Sequence, residues 1–168
     1  MSRSKRILIA GVGNIFLGDD AFGSEVARRL MQRALPPEVH VRDFGISVYD
    51  LAYAMMDGYD ATILVDTTAQ GQSPGTVYLI EPAFDELDNL AGIVGNAHSM
   101  TPVNALQMVR SLGGRPGKLY LVGCEPATLE NEGNMELSES VEAAVPRAIE
   151  RVESLVKELL SVNQNAEI

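Results

Sequence analysis

Short apolar runs and segments of helical period alternate along the chain, the order that a mostly parallel sheet with helices on both faces requires. Arg6 to Ala10 reads as a first, buried strand. Ala21 to Leu35 reads as a helix, because Phe22, Val26, Leu30 and Ala34 share one stripe while Glu25, Arg28, Arg29 and Gln32 face away. Pro36-Pro37 ends it. Val39 to Phe44 alternates and predicts a second strand, after which Ser47 or Asp50 caps a short helix running to Met56. Ala61 to Val65 has no polar face beyond Thr62, which predicts a central third strand. Gly71, Pro74 and Gly75 punctuate the loop to a fourth strand, Thr76 to Ile80. That connection is too short for a crossover helix and predicts an antiparallel edge strand.

Period is lost from Glu81 to Ser99, which reads as an irregular, acidic surface loop. It returns over Thr101 to Leu112, a helix with Pro102 in its first turn, and Leu119 to Val122 reads as a last central strand. Ser138 to Leu160 predicts a long final helix whose first turn carries Glu139 and Glu142 at the positive end of its dipole. The expected fold is therefore α/β: a single domain over residues 1–168, three layers α/β/α, a mostly parallel central sheet and one antiparallel edge strand, with 1–5 and 161–168 flexible.

Composition narrows the class. At 168 residues and 18.1 kDa the chain suits one compact core and leaves no room for a second catalytic module. Thirteen Lys and Arg against 23 Asp and Glu give a net charge of -10, the wrong sign for a protein that binds by neutralising phosphates. No nucleic acid partner is expected. The single cysteine, Cys124, excludes an intramolecular disulfide framework and fits a reducing cytoplasm. Residues 7–10 are too short an apolar run for a signal sequence, and no segment approaches the length of a membrane span, so no membrane partner is expected.

The candidate chemistry lies at strand ends. Gly11-Val12-Gly13-Asn14 opens like a dinucleotide fingerprint, but the third glycine would fall at Phe16, and Asp19-Asp20 stand where a pyrophosphate needs bare N–H groups. One aspartate of that pair would serve as a helix N-cap, leaving the other carboxylate at the sheet's C-terminal edge. Asp66 ends the third strand at the same edge, where a turn aspartate is the plain explanation. Of the two histidines, His40 sits on the polar side of a strand and has no assigned role, while His98 precedes the helix that opens at Thr101. Two carboxylates and one imidazole gathered at one sheet edge suit a hard-to-borderline divalent metal with open positions. Cys124 follows a central strand; a buried small residue explains it better than a nucleophile.

Taken together, residues 9–23, with Gly11-Val12-Gly13-Asn14, Asp19-Asp20 and Gly23, then Leu64-Val65-Asp66, Ala97-His98-Ser99 and Leu121-Val122-Gly123-Cys124-Glu125-Pro126, resemble the hydrogenase maturation endopeptidases over nearly the whole chain. The resemblance implies removal of a C-terminal extension from the large-subunit precursor of a [NiFe] hydrogenase after nickel insertion. It places the family's metal-contacting groups on Asp20, Asp66 and His98, which would also be the catalytic residues. Nickel would be supplied by the precursor, with no permanent metal in the protease. Where the family often has D-G-G-T, this chain has Asp43-Phe44-Gly45-Ile46-Ser47; Asp43 and Gly45 are kept and are the candidate substrate-binding positions. The expected state is a cytoplasmic monomer that meets its precursor transiently. Two other classes are compatible with the residues alone: a non-proteolytic module or chaperone for the nickel-loaded precursor, and a nucleotide-binding α/β protein.

Overall fold

The computed structural model describes residues 4–87, 101–127 and 136–165. The chain forms β1 (Ile7–Val12), α1 (Phe22–Met31), β2 (Val39–Gly45), α2 (Val48–Met55), β3 (Ala61–Thr67), β4 (Val77–Ile80), α3 (Thr101–Ser111), β5 (Lys118–Cys124) and α4 (Glu139–Asn165), with short 3-10 turns at Gly18–Ala21 and Phe84–Glu86. The strands make one sheet of order β2-β1-β3-β5-β4, parallel except for β4. This is the α/β architecture with a mostly parallel sheet that the alternation predicts.

Side-chain alternation along the strands builds a core on each face. Ile7 and Ile9 of β1, Ile63 and Val65 of β3 and Val122 of β5 pack with Phe22, Val26 and Leu30 of α1 and with Val141, Val145, Ile149 and Val152 of α4. Leu8, Ala10, Leu64 and Leu121 face the other way and meet Leu51 and Met55 of α2 and Val103, Leu106 and Val109 of α3. β1 and β3 are covered on both sides, and every residue of each is buried.

Two helix ends differ from the sequence expectation. Helix α1 stops at Met31 rather than Leu35: Leu30 is the last buried residue of its stripe, Ala34 is exposed, and N–H bonds of Gln32 to Arg29 O and Arg33 to Leu30 O tighten the final turn. Helix α4 continues to Asn165, past Leu160. The fourth strand is the antiparallel edge strand expected, and its partner is β5. The loop after β3 folds over the end of β5, with Thr68 N–H donating to Cys124 O and Gly75 N–H to Glu125 O. The buried Glu125 carboxylate holds that loop by accepting from the N–H groups of Gln70 and Gln72, both 2.9 Å, and from Tyr78 Oη at 2.7 Å. Ser47, not Asp50, caps α2; its hydroxyl accepts from Asp50 N–H at 3.4 Å.

Candidate functional site at the sheet's carboxyl edge

From β1 the chain runs out to β2 on one side, and after β2 it returns to β3 on the other side of β1. The gap beyond the carboxyl ends of β1 and β3 is the point where open α/β sheets place ligands. Asp20 and Asp66 both lie there, each 1% exposed. Asp20 belongs to the 3-10 turn that follows β1. The turn lies against the strand end because Gly13, at φ +151°, leaves the space: a Cβ there would overlap Asp20 O. The Asp20 carboxylate then accepts from Asn14 N–H at 3.0 Å and from Thr67 Oγ1 at 3.4 Å.

Asp66 is the sixth residue of β3 and points to the α2 and α3 face, since Leu64 faces that layer and Val65 the opposite one. Its Oδ1 accepts from the N–H of Thr67 at 2.8 Å, while its Oδ2 is buried without a partner among the described residues. Burial first, and the charge of Asp20 second, push the Asp66 carboxyl well above the usual carboxylate range; hydrogen bonds from Thr67 oppose the rise. Thr67 thus connects the two acids, bonding Asp20 through its hydroxyl and Asp66 through its N–H. A pair of carboxyls so close to each other, one with a bare oxygen, can receive a cation or take a proton from a water.

Neither member of the acidic pair caps α1, contrary to the sequence reading; the capping position is Ala21, with no side-chain bond. Asp19 instead accepts from Ala127 N–H at 2.9 Å and from Ser138 N–H and Oγ at 2.7 and 2.9 Å. It ties the turn after β1 to the segment after β5 and to the start of α4. The partner residues are more than 100 positions away in sequence, so no local pattern could signal the bond.

Asp43 and Gly45 stand at the end of β2. Asp43 Oδ1 accepts from Ser24 Oγ at 2.7 Å and from Gly45 N–H at 3.0 Å, and Gly45 O accepts from Gly13 N–H at 2.9 Å. The loops after β1 and β2 are thereby joined, and they carry the exposed apolar side chains Ile15, Phe16 and Ile46. Ile15 and Phe16 also wall a cleft of about 570 Å³ with Arg28 and Leu137. His98 lies outside the described residues. Among the described residues no three His, Cys, Asp or Glu side chains converge as a metal set. Cys124 is fully buried, and its thiol is pushed up to about 12, chiefly by burial, so it is a core residue and no nucleophile. No described helix is long and apolar enough to cross a membrane.

The comparison with known proteins agrees with this arrangement. The model of the family described as hydrogenase maturation protease matches residues 24–155. The hydrogenase 2 maturation protease of Escherichia coli is 33% identical over 155 residues, 91% of this chain and 92% of its own. The solved structure of the hydrogenase-maturating endopeptidase HybD of E. coli superimposes with a TM-score of 0.78 at 33% identity, covering 91% of this chain and 93% of the other. A hydrogenase 2 maturation peptidase from a Thaumarchaeota archaeon does so with a TM-score of 0.65 at 31% identity, covering 91% and 99%. With more than half its length matched by the family model and relatives above 30% identity across nearly all of it, the chain belongs to the hydrogenase maturation proteases, a family of endopeptidases.

Proposed function

We propose that this endopeptidase removes the C-terminal extension of a [NiFe]-hydrogenase large-subunit precursor once nickel has been inserted, and that it reads the nickel as the signal to cut. The observation that carries the reading is the pair of buried carboxyls at the switch point, with Asp66 Oδ2 lacking a partner among the described residues. A cation still held by the precursor's own cysteines supplies what that oxygen lacks. Asp20, Asp66 and His98 are the contacting residues. For His98, the support is connectivity: α3 returns the chain to the start of β5, so α3 begins at the carboxyl edge, on the face of Asp66, and His98 precedes it by three residues in sequence.

Hydrolysis follows from the same groups. A carboxylate takes a proton from water as the water oxygen adds to the scissile carbonyl carbon. That proton passes to the amine nitrogen as the C–N bond breaks. Asp20 and Asp66 serve both recognition and water activation. Asp43 and Gly45 hold the loop whose neighbours Ile15, Phe16 and Ile46 face the precursor. The protease itself carries no permanent metal, works in the cytoplasm, and acts as a monomer in a transient complex.

The test is cleavage of purified precursor, nickel-loaded and nickel-free, followed by gel and mass spectrometry. Only the loaded form is expected to shorten, at its C-terminus. His98→Ala and Asp20→Asn are expected to slow cleavage by about a hundredfold or more, the usual cost of losing one acid–base or metal-contacting group. Normal binding and an unchanged rate for Asp20→Asn would remove that residue from the mechanism.

A further inference from the structure

Asp66 of β3 and Gly123 of β5 are opposite each other in the parallel ladder. Gly123 lies on the same face as Leu121, which packs with α2 and α3, so its missing side chain would stand beside that of Asp66. The space is occupied by Thr68: a Cβ on Gly123 would overlap Thr68 Oγ1 and meet Thr68 Cβ at 2.8 Å. Thr68 is held in place by its N–H bond to Cys124 O at 2.9 Å. Its side chain is fully buried, and Oγ1 has no hydrogen-bond partner among the described residues. Thr68 Oγ1 and Asp66 Oδ2, the two buried side-chain atoms without partners among the described residues, therefore stand at adjacent strand ends on one face of the site.

A buried hydroxyl left unbonded destabilises the fold, so a position that keeps one is marked by something other than stability. The chemistry of the site indicates what that is. In the hydrolysis proposed above Asp20 and Asp66 act as acceptors, and the hydroxyl of Thr67 is committed to Asp20. Peptide hydrolysis also needs a donor for the carbonyl oxygen, which gains negative charge when water adds. Thr68 supplies an O–H on the same face of the sheet edge as the bare carboxyl oxygen.

Resting on the endopeptidase reading above, we propose that Thr68 is a catalytic residue whose hydroxyl donates a hydrogen bond to the scissile carbonyl oxygen in the transition state. As the water oxygen bonds to the carbonyl carbon, the π pair moves to the oxygen, and Thr68 stabilises it without giving up its proton. The pair returns as the C–N bond breaks, and the proton from water leaves on the amine. Asp20 and Asp66 provide the acceptors, and Thr68 provides the donor.

The experiment compares wild type, Thr68→Val and Thr68→Ser for cleavage of nickel-loaded precursor and for thermal unfolding. Valine keeps the shape and removes the hydroxyl. Thr68→Val should lower kcat about a hundredfold with KM within about twofold, the pattern of a bond made only in the transition state. Its Tm should equal or exceed that of wild type, because an unpaired buried oxygen has been replaced by a methyl. Thr68→Ser should retain activity within about fivefold. A Thr68→Val enzyme with wild-type kcat overturns the proposal, as does a drop in both Tm and activity that serine fails to restore, which would make Thr68 a packing residue. If wild type itself leaves the loaded precursor intact, the endopeptidase reading fails and this proposal with it, a result distinct from equal rates in wild type and Thr68→Val.

Discussion

Asp66 is a buried carboxyl that the fold keeps at a cost in stability. Its carboxyl is raised first by burial and then by the charge of Asp20, so its folded-state pKa lies above the unfolded value of about 3.9. The folded state then binds the proton more tightly than the unfolded chain. The stability this contributes is full below about pH 4 and is lost as pH rises toward the folded pKa. Asp66→Asn, which keeps an acceptor for Thr67 N–H, is expected to raise Tm at pH 7, each 1 kcal/mol appearing as about 2–4 °C in a chain of this size. The gain should vanish as the scan is repeated toward pH 4; a gain independent of pH would mean that the carboxyl titrates normally. Cys124 is the contrasting case, a residue whose burial makes it inert. With its thiol at about 12, iodoacetamide at pH 8 should leave it unmodified in the native protein and label it once guanidinium chloride unfolds the chain.

Among the elements, α1 matters most to the site, because it seats the turn carrying Asp20 against the ends of β1 and β3. The seat is made at Gly23, where a Cβ would overlap Val65 O of β3 and Val12 O of β1. Neither backbone oxygen can move without distorting its strand. Gly23→Ala is expected to cost about 1–3 kcal/mol, read as a fall in Tm of roughly 2–12 °C, and to reduce cleavage by shifting Asp20. Gly71→Ala is the control for helix and turn propensity: no atom lies within 4 Å of its Cβ position, and only its positive φ, 83°, is strained. A smaller loss at Gly23 than at Gly71 would show that helix packing there is loose. The helical stripe of α1, the cap at Ser47 and the central character of β3 were all legible in the sequence, since each depends on residues a few positions apart. The end of α1 was not, because the register at which the core stops covering a helix is set by the strands beneath it.

At the scale of the whole molecule, the alternation of apolar runs and helical stripes determined the α/β class, and the short loop after β3 determined that β4 cannot lie parallel to it. The glycine pattern, the acidic pair and Asp66 identified the family from residues alone, and the family comparison agrees. Only the tertiary structure decided which strand β4 pairs with, since a loop of that length can cross the end of β5 and the choice rests on the bonds Glu125 makes to it. The acidic pair was likewise divided only by the fold. Asp19 is spent on Ala127 and Ser138, and Asp20 remains at the switch point with Asp66. The role proposed for Thr68 was not legible in the sequence, because its hydroxyl is placed by a space left by Gly123, 55 positions away. Local sequence determines periodicity, capping and turns through near neighbours along the chain. Which buried oxygen finds a partner, and which is left without one, depends on strands brought together from distant parts of it.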